Sequence, residues 1–157
     1  PSIAGGANKA TRGNLYFIQY ILNPGNAPRP YMVQSRIFDA ADQNLSANDI
    51  VQMIDVPDNT IVIGGCLDVL EAGGSGLTYD VGLSTDIDAF ADGVDGNADA
   101  IYQFNLKAAG INTVIAADAI QVKALGAGVT AGRFRVIAIL CDIGTGPKQT
   151  ASVTTGT

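Results

Sequence analysis

Aspartate is the residue whose spacing most invites chemistry here. Asp86, Asp88, Asp92, Asp95 and Asp99 fall within one short stretch, and such a run suggests calcium. An EF-hand loop needs oxygen ligands at alternate positions and a glycine at the sixth, where the chain turns sharply. Counting from Asp86 puts Phe90 at the fifth position and Ala91 where glycine is required; counting from Asp88 puts Phe90 at the third. The EF-hand register fails. Two readings stand: carboxylates converging on an ion from separate turns, or a solvated loop whose aspartates cap short turns.

Other chemistries fare worse. Gly73–Gly74–Ser75–Gly76–Leu77–Thr78 resembles a calcium-binding nonapeptide, but Thr78 stands where that repeat needs aspartate. No glycine cluster sits between a strand and a helix at the spacing that cradles phosphate. The chain has no histidine to activate a serine or cysteine, and no Gly-x-Ser-x-Gly elbow. Asp68, Glu71 and Asp80 could face one another across strands as a glycosidase pair would, although carboxylates on the solvent face of a strand are ordinary. The expectation is a protein that is not an enzyme and holds no cofactor or metal.

Charge is distributed unevenly. The first thirty-six residues carry Lys9, Arg12, Arg29 and Arg36 and no acid, whereas all fifteen carboxylates lie from Asp39 onward, against the other five cations. A basic arm on an acidic body reads as a docking segment or as a frayed terminus with solvated cations. Arg12, Tyr16, Phe17, Arg29 and Tyr31 interleave cations with aromatics, as single-stranded nucleic acid favours. The acidic body would repel phosphate everywhere else, so no nucleic-acid partner is expected.

These residues are positioned by short apolar bursts separated by Gly, Asn, Asp, Ser and Thr, the pattern of strands joined by turns. The expected strands are Leu15–Leu22, Tyr31–Gln34 with Arg36–Phe38 as its continuation, Asp49–Val56, Thr60–Glu71, Leu77–Leu83, Ile101–Leu106, Ile111–Ile115, Ile120–Leu125 and Arg133–Ile143. Gly64–Gly65 marks a bulge or a close backbone approach. The last strand is apolar almost throughout, which suits a central strand covered on both faces. Ala40–Asn48 reads as a loop with room for one helical turn capped by Ser46. Ser84–Asp99 reads as an aspartate-rich excursion, with Asp86–Ala91 the best candidate for a turn of helix.

The fold class is all-β: a single sandwich, jelly-roll-like, over residues 37–143, with an extended arm at 1–36 and a C-terminal tail at 144–157. The tail's one sizeable apolar side chain is Val153, so it cannot fold alone. Cys66 and Cys141 either bridge an early and a late strand or stay as two buried thiols. No apolar run approaches the ~20 residues of a membrane-spanning helix. The start at Pro1–Ser2 shows no secretory pattern and suits a cytosolically made chain that has lost its methionine, with processing of a longer precursor left open.

Three stretches carry a resemblance: NDIVQMIDVPDNTIVIGGCLDVLEAG from Asn48, YDVGLSTDIDAFADG from Tyr79 and GRFRVIAILCDI from Gly132. In layout, over roughly residues 48–143, the chain looks like head decoration (cement) proteins of tailed bacteriophages, especially those of aquatic bacteria. The resemblance implies a homotrimer on the capsid exterior, made in the host cytoplasm and binding the major capsid protein so as to bridge capsomers. It offers no catalytic residue to carry over, only a terminus acting as a clamp, here the arm with Lys9, Arg12, Leu15, Phe17, Arg29 and Arg36. The alternatives are a receptor- or glycan-binding fibre or tail domain, with Phe90 and Tyr102 as the exposed aromatics, and a tail-tube or connector subunit.

Overall fold

The computed structural model describes residues 2–3, 8–11, 14–17, 29–105, 110–111, 113–126 and 128–143, with side chains from residue 30 onward. The described residues form thirteen strands: β1 (Ser2–Ile3), β2 (Asn8–Thr11), β3 (Asn14–Phe17), β4 (Arg29–Ser35), β5 (Phe38–Asp39), β6 (Ile50–Val56), β7 (Thr60–Glu71), β8 (Thr78–Leu83), β9 (Asp86–Asp95), β10 (Ala100–Gln103), β11 (Val114–Ile115), β12 (Asp118–Leu125) and β13 (Arg133–Asp142). No helix occurs among the described residues.

Strand β13 sets the frame. Its side chains alternate as a pleated strand requires: Phe134, Val136, Ala138 and Leu140 are buried, while Arg133, Arg135, Ile137 and Ile139 point the other way. It lies between β7 and β4 in a seven-stranded sheet ordered β10-β7-β13-β4-β3, with β11 added to β7 and β5 to β13. A second sheet of six strands runs β1-β2-β6-β12-β8-β9. The pairings are antiparallel except for β2 against β6. The molecule is therefore a β-sandwich.

Its winding is nested. The hairpin β8–β9 is enclosed in sequence by the pair β7–β10, that by β6–β12, and that by β4–β13. Successive pairs alternate between the two sheets. The Pro57–Asp58–Asn59 turn, with Asn59 at φ 57°, consequently carries the chain from one sheet to the other.

Two aromatic clusters fill the space between the sheets. Phe134 stacks on Phe38 with ring centroids 5.1 Å apart and meets Tyr79 of the opposite sheet at 4.9 Å. Phe90 of β9 stacks on Phe104 at 5.1 Å. Burial pushes the Tyr79 phenol up to about 12, so it stays neutral at physiological pH. The buried Ser35 is satisfied: its hydroxyl donates to the Arg36 carbonyl and accepts from the Val136 N–H.

Several expectations need correction. The stretch read as an aspartate-rich excursion contains β9, and Asp86–Ala91 forms no helical turn. DIDAFADGVD pairs with β8 through two register shifts: Asp86, Asp88, Asp92 and Asp95 are exposed while the consecutive Ala89, Phe90 and Ala91 are buried. No regular alternation marks the strand, and aspartates are depleted in strands generally. Ala40–Asn48 is a loop as expected, opened by a single turn in which the Gln43 N–H donates to the Asp39 carbonyl at 3.2 Å. Its Leu45 pairs with Val129, and the Ser46 N–H donates to the Asp49 carboxylate. β13 is central but open on one face, with Ile139 40% exposed.

Gly64–Gly65 serves both expected purposes. The β7–β13 register shifts around Ile63, and a Cβ at Gly65 would run into the Ile137 carbonyl and the Phe104 ring. Residues 18–22, Leu106, Asn112 and the tail 144–157 lie outside the described residues.

Phe134 is 1% exposed and joins both sheets. Phe134→Ala should cost about 3–5 kcal/mol, read as a lower denaturant midpoint with an unchanged slope. A loss under ~1 kcal/mol would mean that the sheets are not held together there.

Candidate interaction surfaces

Three surfaces could meet a partner: the arm, the acidic sheet and the outer face of the seven-stranded sheet. The arm runs along the protein's own edges. β1 pairs with β2, and β2 adds in parallel to β6 with Lys9 opposite Val51. β3 then adds to the other sheet, with Leu15 opposite Gln34 and Phe17 opposite Met32. Arg29 opens β4 opposite Asp142, and Arg36 is exposed in the link to β5. Arg12 lies outside the described residues, as do the side chains of Lys9, Leu15, Phe17 and Arg29. The arm thus joins one edge of each sheet, and β4, inside residues 1–36, is integral to the fold, with Val33 and Ser35 both 1% exposed.

On the acidic sheet several aspartates are held by separate local partners. Asp80 is 7% exposed and accepts the Gly93 N–H at 2.9 Å. Asp95 accepts the Asn97 N–H at 2.8 Å, and Asp118 accepts from Ser84 Oγ at 2.9 Å. A hydrogen bond with Asp88 raises the Asp86 pKa, helped by slight desolvation and by the Asp88 charge. Among the described residues no group of three or more potential ligands converges on a metal position. A cleft of about 400 Å³ opens between the β8–β9 turn and the segment before β12, lined by Leu83, Ser84, Asp86, Thr113, Ile115 and Asp118 among others.

Asp68, Glu71 and Asp80 are not brought together as a glycosidase pair. Asp68 and Glu71 belong to the seven-stranded sheet and Asp80 to the other. Asp68 accepts from Arg135 Nε at 2.8 Å, and Glu71 pairs with Arg133 at 3.1 Å. The aromatics assigned to glycan stacking are not exposed either: Phe90 is fully buried and Tyr102 packs half-buried against the core.

The seven-stranded sheet presents what sequence reasoning missed. Met32, Ile63, Ile101, Val114 and Ile139 are all more than a third exposed. The signal was present in the unbroken apolar run of β13, taken as internal on both sides. Cys66 lies on this face opposite Ile137, whereas Cys141 stands opposite Ile61. That four-residue offset amounts to roughly 13 Å along the strand, too far for a disulfide, and both thiols are free. The bridge reading is corrected accordingly.

No protein-family model matches the chain, and no curated protein matches its sequence. The fold has counterparts among solved structures. A chain of the capsid of Ralstonia phage GP4 aligns with TM-score 0.55 and 17% identity, over 74% of this chain and 86% of that one. A chain of the cyanophage Pam1 capsid asymmetric unit gives 0.58 and 11%, over 79% and 91%. A chain from the acidic stable capsid of Helicobacter pylori bacteriophage KHP30 gives 0.54 and 11%, over 84% and 94%. At such identities the likeness is one of fold.

Burial, then the Asp68 charge, push the Cys66 thiol up, and the Arg135 charge opposes them. The thiolate is the reactive form. Alkylation of Cys66 in dilute protein should therefore have a pH midpoint above the ordinary value of about 8.5, and Asp68→Asn should lower it. A midpoint at the ordinary value, unmoved by that substitution, would contradict this electrostatic environment.

Proposed function

We propose that this chain is a non-enzymatic structural component of a phage capsid, specifically a decoration or cement protein on the shell exterior. The observation that carries the reading is its sandwich, shared over 86%, 91% and 94% of the length of chains from three phage capsids. The nested pairing, which alternates between the sheets, supports a jelly-roll reading, an architecture common in viral capsid domains. The scarcity of assembled chemistry among the described residues agrees with a role that needs surface burial alone.

In this reading the chain is made in the host cytoplasm, assembles as a homotrimer and binds the major capsid protein through the arm. Burial of one arm side chain such as Leu15 or Phe17 would contribute roughly 1.5–3 kcal/mol. Several arms on one oligomer would multiply that through effective concentration. The arm cations would pair with carboxylates of the shell. A glycan-binding fibre domain is disfavoured, because among the described residues no aromatic side chain is exposed for stacking.

The test is co-sedimentation with heads purified from the strain that produces the chain and stripped of it. The full chain should sediment with the heads and protect them against heat. A chain lacking residues 1–28, which loses β1, β2 and β3 but keeps β4 against β13, should remain folded but stay in the supernatant. Binding undiminished by that deletion would overturn the arm assignment, and no binding by the full chain would overturn the decoration reading.

A further inference from the structure

We propose that the outer face of the seven-stranded sheet is covered by a second copy of this chain. The inference deepens the self-assembly in the proposed function by naming the surface that carries it.

The first observation is where the apolar surface lies. Exposed large hydrophobic side chains occur on β4, β7, β10, β11 and β13, with Ile37 of the β4–β5 link the exception; the six-stranded sheet contributes none among the described residues. Met32, Ile63, Ile139 and Val114 lie near one another on the ladder, and Ile101 stands beyond the Asp68–Arg135 pair. Met32 stands opposite Ile139, Ile139 opposite Gly64, and Val114 opposite Ile61. Ile101, at 65% exposure, sits at the sheet edge opposite Asp68. From β4 to β10 the patch crosses roughly 14 Å of sheet. Monomeric proteins seldom leave such a face to water.

The second observation is the sequence of β13. RFRVIAILCDI has the near-continuous apolar character of a strand covered on both sides. The sandwich covers one side only, so the sequence is written for an environment that this copy alone does not supply.

Charge selects the occupant. The six-stranded sheet carries Asp55, Asp80, Asp118 and the four aspartates of β9, with Lys9 and Lys123 as its cations. Two copies of a chain of net charge −6 repel each other across that surface. Among the described side chains the apolar face carries two cations, each already paired: Arg135 with Asp68 and Arg133 with Glu71. By these side chains it is the neutral side of an acidic molecule, where another copy can approach without like-charge cost. The two ion pairs give a neighbour both signs to match, one beside Ile101 and one at the strand ends. A basic shell surface would instead be drawn to the acidic sheet.

Sedimentation equilibrium of the full chain, over a wide range of concentration, tests this directly. The expected mass is a whole multiple of the 157-residue chain. Ile139→Glu and Val114→Glu should each weaken association roughly a hundredfold or more, the effect of trapping an unpaired carboxylate in an apolar contact. Circular dichroism should remain unchanged, since both side chains are exposed in the single copy. Asp55→Lys on the opposite sheet should leave the mass as it is. A readout without substitutions is native Cys66, whose alkylation should slow as concentration rises. A single-chain mass at every concentration would overturn the proposal and hand the face to residues 18–28 or to another protein. Multiples that survive both glutamate variants, or Cys66 alkylation indifferent to concentration, would overturn it as well. The proposed function fails separately, since this test uses no capsids.

Discussion

The pairing of β7 with β13 is the constraint on which the rest of the molecule depends. Their register runs from Arg133 opposite Glu71 to Asp142 opposite Thr60. It places Phe134, Val136, Ala138 and Leu140 in the core and Arg133, Arg135, Ile137 and Ile139 on the outside. A slip of one residue would exchange these sets. Two arginines would enter the core without partners, and Phe134 would leave both of its ring contacts. The ladder therefore decides the interior and the presented surface together.

Around it the nested winding gives β4, β6, β7, β12 and β13 partners distant in sequence. The arm extends one edge of each sheet: β1–β2 beyond β6 and β3 beyond β4. The opposite edge of the six-stranded sheet is β9, whose exposed aspartates discourage pairing with a foreign strand. One molecule thus has an acidic sheet, a neutral apolar sheet and a basic arm. That division suits assembly, because each surface offers burial or charge to a neighbour.

Much of the fold was legible where alternation and turn residues agreed. Thr60–Glu71 matches β7 in full, and Asp49–Val56, Leu77–Leu83 and Arg133–Ile143 fall within a residue of β6, β8 and β13. Composition misled at β9, where four aspartates looked like a loop although Ala89, Phe90 and Ala91 are buried within a strand whose register shifts break the alternation. It misled in the opposite direction at β13, where apolar residues on both faces implied a cover that this chain does not provide. The arm's charge was plain, but its parallel addition to β6 was not, since no local pattern specifies a parallel partner. Strand order was likewise hidden, because it arises from long-range nesting and periodicity reports only which face is buried.

The most direct test of the capsid account is the amount of this chain in purified particles, by quantitative mass spectrometry against the most abundant shell protein. The decoration reading predicts near parity, one copy for each shell subunit. A trace amount would contradict it and point to a fibre, tail or connector part, and absence from the particles would contradict a role in the virion.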